Sequence, residues 1–257
     1  MDVRPLDKEL RARAREHWTG CLRVSDRHND ANAELFIFDG EIYSVQIIDH
    51  EPNLLARIAA SGMVDDDRRR LFESQSPPED WNATVGRFAV EHGWLSVERL
   101  AEFHSEYLLA ALTGVRAVAK PRVASAEGAV TKRLCALPSD IDEVLASVDI
   151  RTSRSRDVWS TISPATSPRV TVLRLLGSTA AASYAAPEVG AFAELVDAQL
   201  SVGEVASICG FTQAEAEFLA VALVNEGHAE VMGTKAVTNG THLVPEDFSA
   251  AVSGRRP

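Results

Sequence analysis

The chain has 257 residues, 46% of them hydrophobic, and a formal net charge of -11. That length and apolar content support one large domain or two ordinary ones with sizeable cores, and exclude a disordered chain. No stretch approaches the length of a membrane span, the charged start MDVRPLDKELRARAREHW has no apolar signal-peptide core, and the excess of carboxylates argues against a general nucleic-acid binder. A soluble cytoplasmic protein is expected.

In chain order, Leu6, Leu10 and Ala14 recur at helical spacing, among Arg4, Lys8, Arg11, Arg13 and Arg15. This predicts a short amphipathic helix, read either as a solvated face or as an arm that touches an acidic surface. WTGCLRVS then reads as a strand, DRHNDAN as a polar loop, and ELFIFDGEIYSVQII as two strands around Asp39-Gly40. Asp-Gly between apolar runs predicts a hairpin, because both residues tolerate the positive φ angles of a type I′ turn. A small antiparallel sheet of three or more strands follows. From residue 53 the period becomes helical. A helix is expected up to Gly62, then another opened by Asp65, Asp66 and Asp67, whose carboxylates suit the free amides of a helix start. After ESQSPPED, one helix ends at Gly93 and Ser96 caps a long one carrying Val97, Leu100, Phe103, Tyr107 and Leu108.

Residues 116 to 174 hold ten Lys and Arg against six acids, with Pro121, Pro138, Pro164 and Pro168. We read 119–130 as linker, PSDIDEVLASV as a short helix capped by Ser139, and 151–170 as mainly loop, with VTVLRLL a strand or helix start. A helical pair repeats near the C-terminus, where Gly210 ends one helix, Thr212 caps the next and Gly227 ends that before HAEVM. Helix, tight turn, helix and a strand is the order of a winged-helix unit. The tail from Gly233 is polar.

The charge map separates these parts. Residues 175–234 contain eight acids and no Lys or Arg. A second helix opening with Thr212, Gln213, Ala214, Glu215, Ala216 and Glu217 would bring carboxylates to a polyanion, whereas phosphate contacts need cationic or amide donors. The helical pair is therefore expected to meet protein, with Trp94, Glu204, Glu215 and Glu217 as candidate contacts. Arg151, Arg154 and Arg156 in RTSRSR are the candidate nucleic-acid contacts of the alternative reading, a transcription regulator. Ser153 and Ser155 lie in the same run, where phosphorylation would reverse the local charge.

No phosphate-cradling glycine loop and no nucleophile elbow occurs. The seven histidines show no metal-binding pair, and Cys21, Cys135 and Cys209 lie too far apart in the chain to suggest a ligand set. Neither catalytic residues, a metal nor a cofactor is expected, and an enzyme is the least favoured class.

Two stretches resemble known families. WTGCLRVS…AELFIFDGEIYSVQ, with Thr19, Gly20, Leu22 and Val24, then Phe38, Asp39, Gly40, Glu41 and Ile42, resembles the PatA N-terminal-like domains of bacterial regulatory proteins over about residues 1–115. The later AELVDAQLSVGEVASICGFTQAEAEFLAVALVNEGHAEV is similar to the winged-helix-type unit that often follows. The resemblance implies bacterial signalling or gene regulation through protein contacts, without catalytic residues. VGRFAVEHGWLSVERLAEFHSE is similar to a helical repeat of secretion ATPase N-terminal domains, some of which bind cyclic di-GMP; Gly86 and Gly93 fit. Thr84 stands where that family has its ligand-contacting Arg, and Glu106 where it has Gln. A cyclic-dinucleotide sensor is thus a second alternative.

The expected architecture is α+β: a PatA N-terminal-like domain over 1–118, a basic linker with a short helix over 119–174, an acidic winged-helix-like domain over 175–234, and a tail over 235–257. The expected function is that of a non-catalytic adaptor whose protein partner is unidentified.

Overall fold

The computed structural model describes residues 4–25, 33–48, 54–60, 62, 64–75, 81–116, 118, 121–132, 135–162, 171–176 and 187–235. The loop expected at 26–32, the connection at 76–79 and the tail from 236 onward lie outside them. In chain order the elements begin α1 (Pro5–Arg15), β1 (Gly20–Ser25), β2 (Ala33–Phe38), β3 (Glu41–Ile47), α2 (Leu54–Ala60), α3 (Asp66–Gln75), α4 (Trp81–Glu91) and α5 (Val97–Arg116). They continue β4 (Arg122–Glu127), α6 (Ile141–Ile162), β5 (Thr171–Leu175), α7 (Pro187–Glu194), β6 (Asp197–Ser201), α8 (Val202–Cys209), α9 (Gln213–Asn225) and β7 (Ala229–Thr234). Among the described residues the protein is α+β with two antiparallel sheets.

The chain divides into two compact units that interleave in sequence. The first takes Met1–Pro52 and Asp80–Arg156; the second takes Asn53–Glu79 and Asp157–Pro257. This differs from the linear division at 118, 174 and 234 expected from composition. Residues 53–79 belong with the C-terminal elements, where α2 lies against α7 and α8.

In the first unit the sheet order is β3-β2-β1-β4. Leu22 stands opposite Leu35, and Leu35 opposite Val45, so the period of two puts one apolar row on one face. That face packs on Leu6 and Leu10 of α1, Leu108 and Leu112 of α5, and Val144, Leu145 and Val148 of α6. Cys21, Phe36 and Tyr43 occupy the other face, under Ala126, Ala129 and Cys135. The segment around residue 131 is tied to this face: Tyr43 Oη accepts from the Thr131 amide at 3.0 Å and Gln46 donates to the Thr131 hydroxyl at 2.9 Å.

The β2–β3 turn forms as the Asp-Gly pair requires, with φ of 49° at Asp39 and 84° at Gly40. The Gly40 amide donates to the Trp18 carbonyl at 3.0 Å, and the Asp39 amide to the Thr19 hydroxyl at 3.0 Å. A Cβ on Gly40 would stand 2.7 Å from the Ala14 carbonyl oxygen, so glycine is also required by the close approach of α1. The helices are joined by a buried staple. Arg116 donates to both oxygens of Asp7, at 2.9 and 2.6 Å, and meets Asp149 at 2.9 Å.

Two expectations for the basic segment do not hold. Residues 122–127 form β4, an edge strand paired with β1, where a linker was expected; RVASAE is polar because an edge strand of this exposure contributes little to the core. The short helix runs on to Ile162 and takes in the RTSRSR run expected as loop. Its cap is Asp140, whose carboxylate accepts from the Glu143 amide at 3.0 Å, while the Ser139 hydroxyl donates to the Leu137 carbonyl. Arg151 is held by Glu106 on α5, which removes one of the like charges that would otherwise strain the helix.

In the second unit β5 is central, antiparallel to both β6 and β7. Its Leu173 joins Phe192, Val196, Val202, Val205, Cys209, Phe211, Ala220 and Leu223 in one core. The helical pair begins and turns as expected. Ser201 and Glu204 form a capping box on α8, Gly210 ends it at φ 69°, and Thr212 and Glu215 form a second capping box on α9. The strand expected after Gly227 is β7, and it pairs with β5, which precedes the helices in the chain.

Candidate interaction site

The structure places the predicted protein-contact residues in roles that differ from an open acidic face. Trp94 is buried beyond the end of α4, its ring edge-on to Phe88 at 5.1 Å and tilted against His92 at 5.7 Å, so it is a packing residue. Glu215 is buried. One of its oxygens accepts from Arg57 of α2 at 2.6 Å, and the other closes the α9 capping box at the Thr212 amide, 2.8 Å away. The Arg57 guanidinium lies over the Phe211 ring, 4.1 Å from its centroid. Glu204 caps α8 and meets Lys235 at 2.8 Å. Burial works to raise its pKa, but hydrogen bonds from Lys235 and Ser201 outweigh that and hold it below the ordinary carboxylate value. Glu217, on α9, is half-buried.

The window 175–234 therefore has no cations of its own but is not uncompensated. Arg57, Arg174 and Lys235, all just or far outside it, pair with Glu215, Glu230 and Glu204. Arg57 lies 158 residues from its partner, and its local signal is a lone Arg in an otherwise apolar helix, LLARIAA.

The residues of the nucleic-acid alternative are on α6. Arg151 makes a two-point contact with Glu106, at 2.6 and 2.8 Å, so its charge is engaged within the unit. Arg156 is exposed; the side chain of Arg154 lies outside the described residues. The same contact engages Glu106, the position matched to Gln in the cyclic-dinucleotide resemblance, with an arginine of the chain itself.

Chemically reactive groups are placed as packing groups. Burial pushes the Cys209 thiol up to about 12 and that of Cys21 to about 11, and raises Cys135 as well. His104 donates from Nδ1 to the Cys135 carbonyl at 2.8 Å, and burial lowers its pKa. Among the described residues, no group of three or more His, Cys, Asp or Glu converges as a metal-ligand set, and no helix is long and apolar enough to cross a membrane.

What the sheet does present is the tip of the β2–β3 hairpin. Phe38 is 54% exposed beside Asp39. Asp39 meets His17 at 3.3 Å, and His17 is itself at φ 49°. Arg13 covers the Trp18 ring at 4.9 Å from its centroid. The positive φ angles of Asp39 and Gly40, with the Gly40–Trp18 and Asp39–Thr19 hydrogen bonds, fix this tip against the end of α1. Val130 and Leu137, on the connection from β4 to α6, are exposed as well.

Compared with known proteins, the chain matches no family model, no curated protein and no solved structure.

Proposed function

We propose that the chain is a non-catalytic regulatory adaptor of bacterial signalling, acting through protein contacts. The PatA N-terminal-like motif in the first unit and the winged-helix-like order of α8, α9 and β7 in the second are in keeping with it. The observation that carries the reading is the hairpin tip: an aromatic side chain held out to solvent on a turn whose backbone is over-determined. An exposed aromatic on a rigid tip binds with little loss of conformational entropy, which is what a protein-contact anchor needs. The motif residues Asp39 and Gly40 build that turn, and Phe38 is the residue it displays.

The acidic helical pair is not the contact in this reading, because its carboxylates cap helices and pair within the chain. The test is a photo-crosslinking amino acid placed at Phe38 and, as a control, at Arg87, which is exposed on α4. In the native cell, position 38 is expected to give one or a few discrete protein adducts, and position 87 none of these. Identical patterns from both positions, or no adduct from position 38, would remove the reading.

A further inference from the structure

Helix α1 carries Arg4 at its N-cap and Lys8, Arg11 and Arg15 within it. Positions i, i+4, i+7 and i+11 fall on one line along a helix, here about 16 Å long. Leu6 and Leu10 point the other way, into the core. Arg4, Lys8 and Arg15 are exposed, and Arg11, bound to Asp142, keeps 40% of its side chain in solvent. Among the described residues the Arg4 and Lys8 side chains have no hydrogen-bond or ion-pair partner. In the same unit Arg13, Arg23, Arg99, Arg116 and Arg151 are each bound to a carboxylate. On a chain with 37 acids and 26 cations, Arg4 and Lys8 stand out as exposed cations with no carboxylate partner among the described residues, in a row with Arg11, which meets Asp142, and Arg15, which donates to the Arg11 carbonyl at 3.1 Å.

Ion pairs tie this helix to α6. Arg11 meets Asp142, and Asp7 is linked through Arg116 to Asp149, so α1 and α6 run antiparallel.

We propose that this basic row, Arg4, Lys8, Arg11 and Arg15, binds the phosphate backbone of a nucleic acid. The row is Arg and Lys throughout, three of its four members being arginines, which match phosphate oxygens two at a time. A protein interface has an apolar centre with charges at its rim, and this row has no apolar member. A membrane-bound amphipathic helix needs its apolar face for the lipid, and that of α1 is spent in the core. With no base-reading element in the row, the contact is independent of sequence and depends on salt.

The experiment is fluorescence anisotropy of the full chain with a labelled DNA duplex of arbitrary sequence. Binding is expected near micromolar at about 0.05 M salt, falling roughly a hundredfold by about 0.2 M for four phosphate contacts. Arg4→Gln with Lys8→Gln is expected to weaken binding at least tenfold and to flatten the salt slope by about two. Lys132→Gln, at an exposed position outside the row, is expected to stay within twofold of the parent. Thermal melts establish that the double variant is folded; if it is not, Lys8→Gln alone carries the test, with a slope change of about one. No anisotropy change at low salt, or parental binding by the folded variant, overturns the proposal. So does tighter binding to phosphatidylserine vesicles than to the duplex, which assigns the row to a membrane surface.

Discussion

Arg57 and Glu215 are 158 positions apart and meet at 2.6 Å in a buried site. Taking either charge away leaves the other desolvated, which typically costs about 3–5 kcal/mol. Arg57→Ala or Glu215→Gln is therefore expected to lower the urea midpoint of the second unit, with Glu215→Gln also weakening the α9 cap. A change under about 1 kcal/mol would mean the site is wetter than its burial indicates. His104 gives a pH dependence of defined sign. Burial lowers its folded pKa below the ordinary 6.5, so the unfolded chain takes up the proton first as the pH falls. Its contribution is complete above about pH 6.5 and is lost as the pH drops from there toward the folded value. His104→Asn is expected to shrink the difference in urea midpoint between pH 7.5 and 5.5. Neither pairing was legible in the sequence, where Arg57 and His104 are single polar residues on apolar helical faces and nothing local names their partners.

At the scale of elements, caps and turns were the most legible features, because their chemistry is local. Asp39-Gly40, Ser96, Gly210 and Thr212 all act where their residue types place them: a positive-φ turn, a side-chain cap, a left-handed stop and a capping box. Thr212→Ala and Ser201→Ala are each expected to cost about 1 kcal/mol in denaturant unfolding. Gly40→Ala costs more than a cap, since the added Cβ meets the Ala14 carbonyl and φ is 84°; near-parental stability would show that α1 yields. Gly20 makes a similar approach, where a Cβ would lie 2.5 Å from both the Ala126 carbonyl and the Trp18 ring. The elements that composition misled are β4 and the second half of α6. An edge strand needs no apolar alternation, and a basic run is helical when a partner such as Glu106 takes up part of its charge.

For the molecule as a whole, the consequence is that the second unit is assembled from two stretches separated by most of the first. Residues 157–257 alone lack α2, and with it Arg57 and the surface that meets α7 and α8. That fragment is expected to be less protected from hydrogen exchange than the same residues in the full chain, most of all at the start of α9. Equal protection would show that α2 is dispensable to the unit. The two proposals fall on one side of the same line. The Phe38 tip and the cationic row of α1 both lie in the first unit, whereas Glu215 and Glu204 of the acidic helical pair are met by Arg57 and Lys235 from outside it.

The sequence by itself determined the first three strands, the hairpin and its turn, the two capped helix pairs and the row of cations on the first helix. Each of these follows from residues within a few positions of one another, through dihedral preference, capping or helical period. Only the tertiary structure decided which carboxylates were already neutralised, that Trp94 is packing, and that residues 53–79 belong with the C-terminal elements. Those outcomes depend on contacts between distant residues and on which apolar face buries against which, and a charge or a face carries no mark in the chain of the partner it will find.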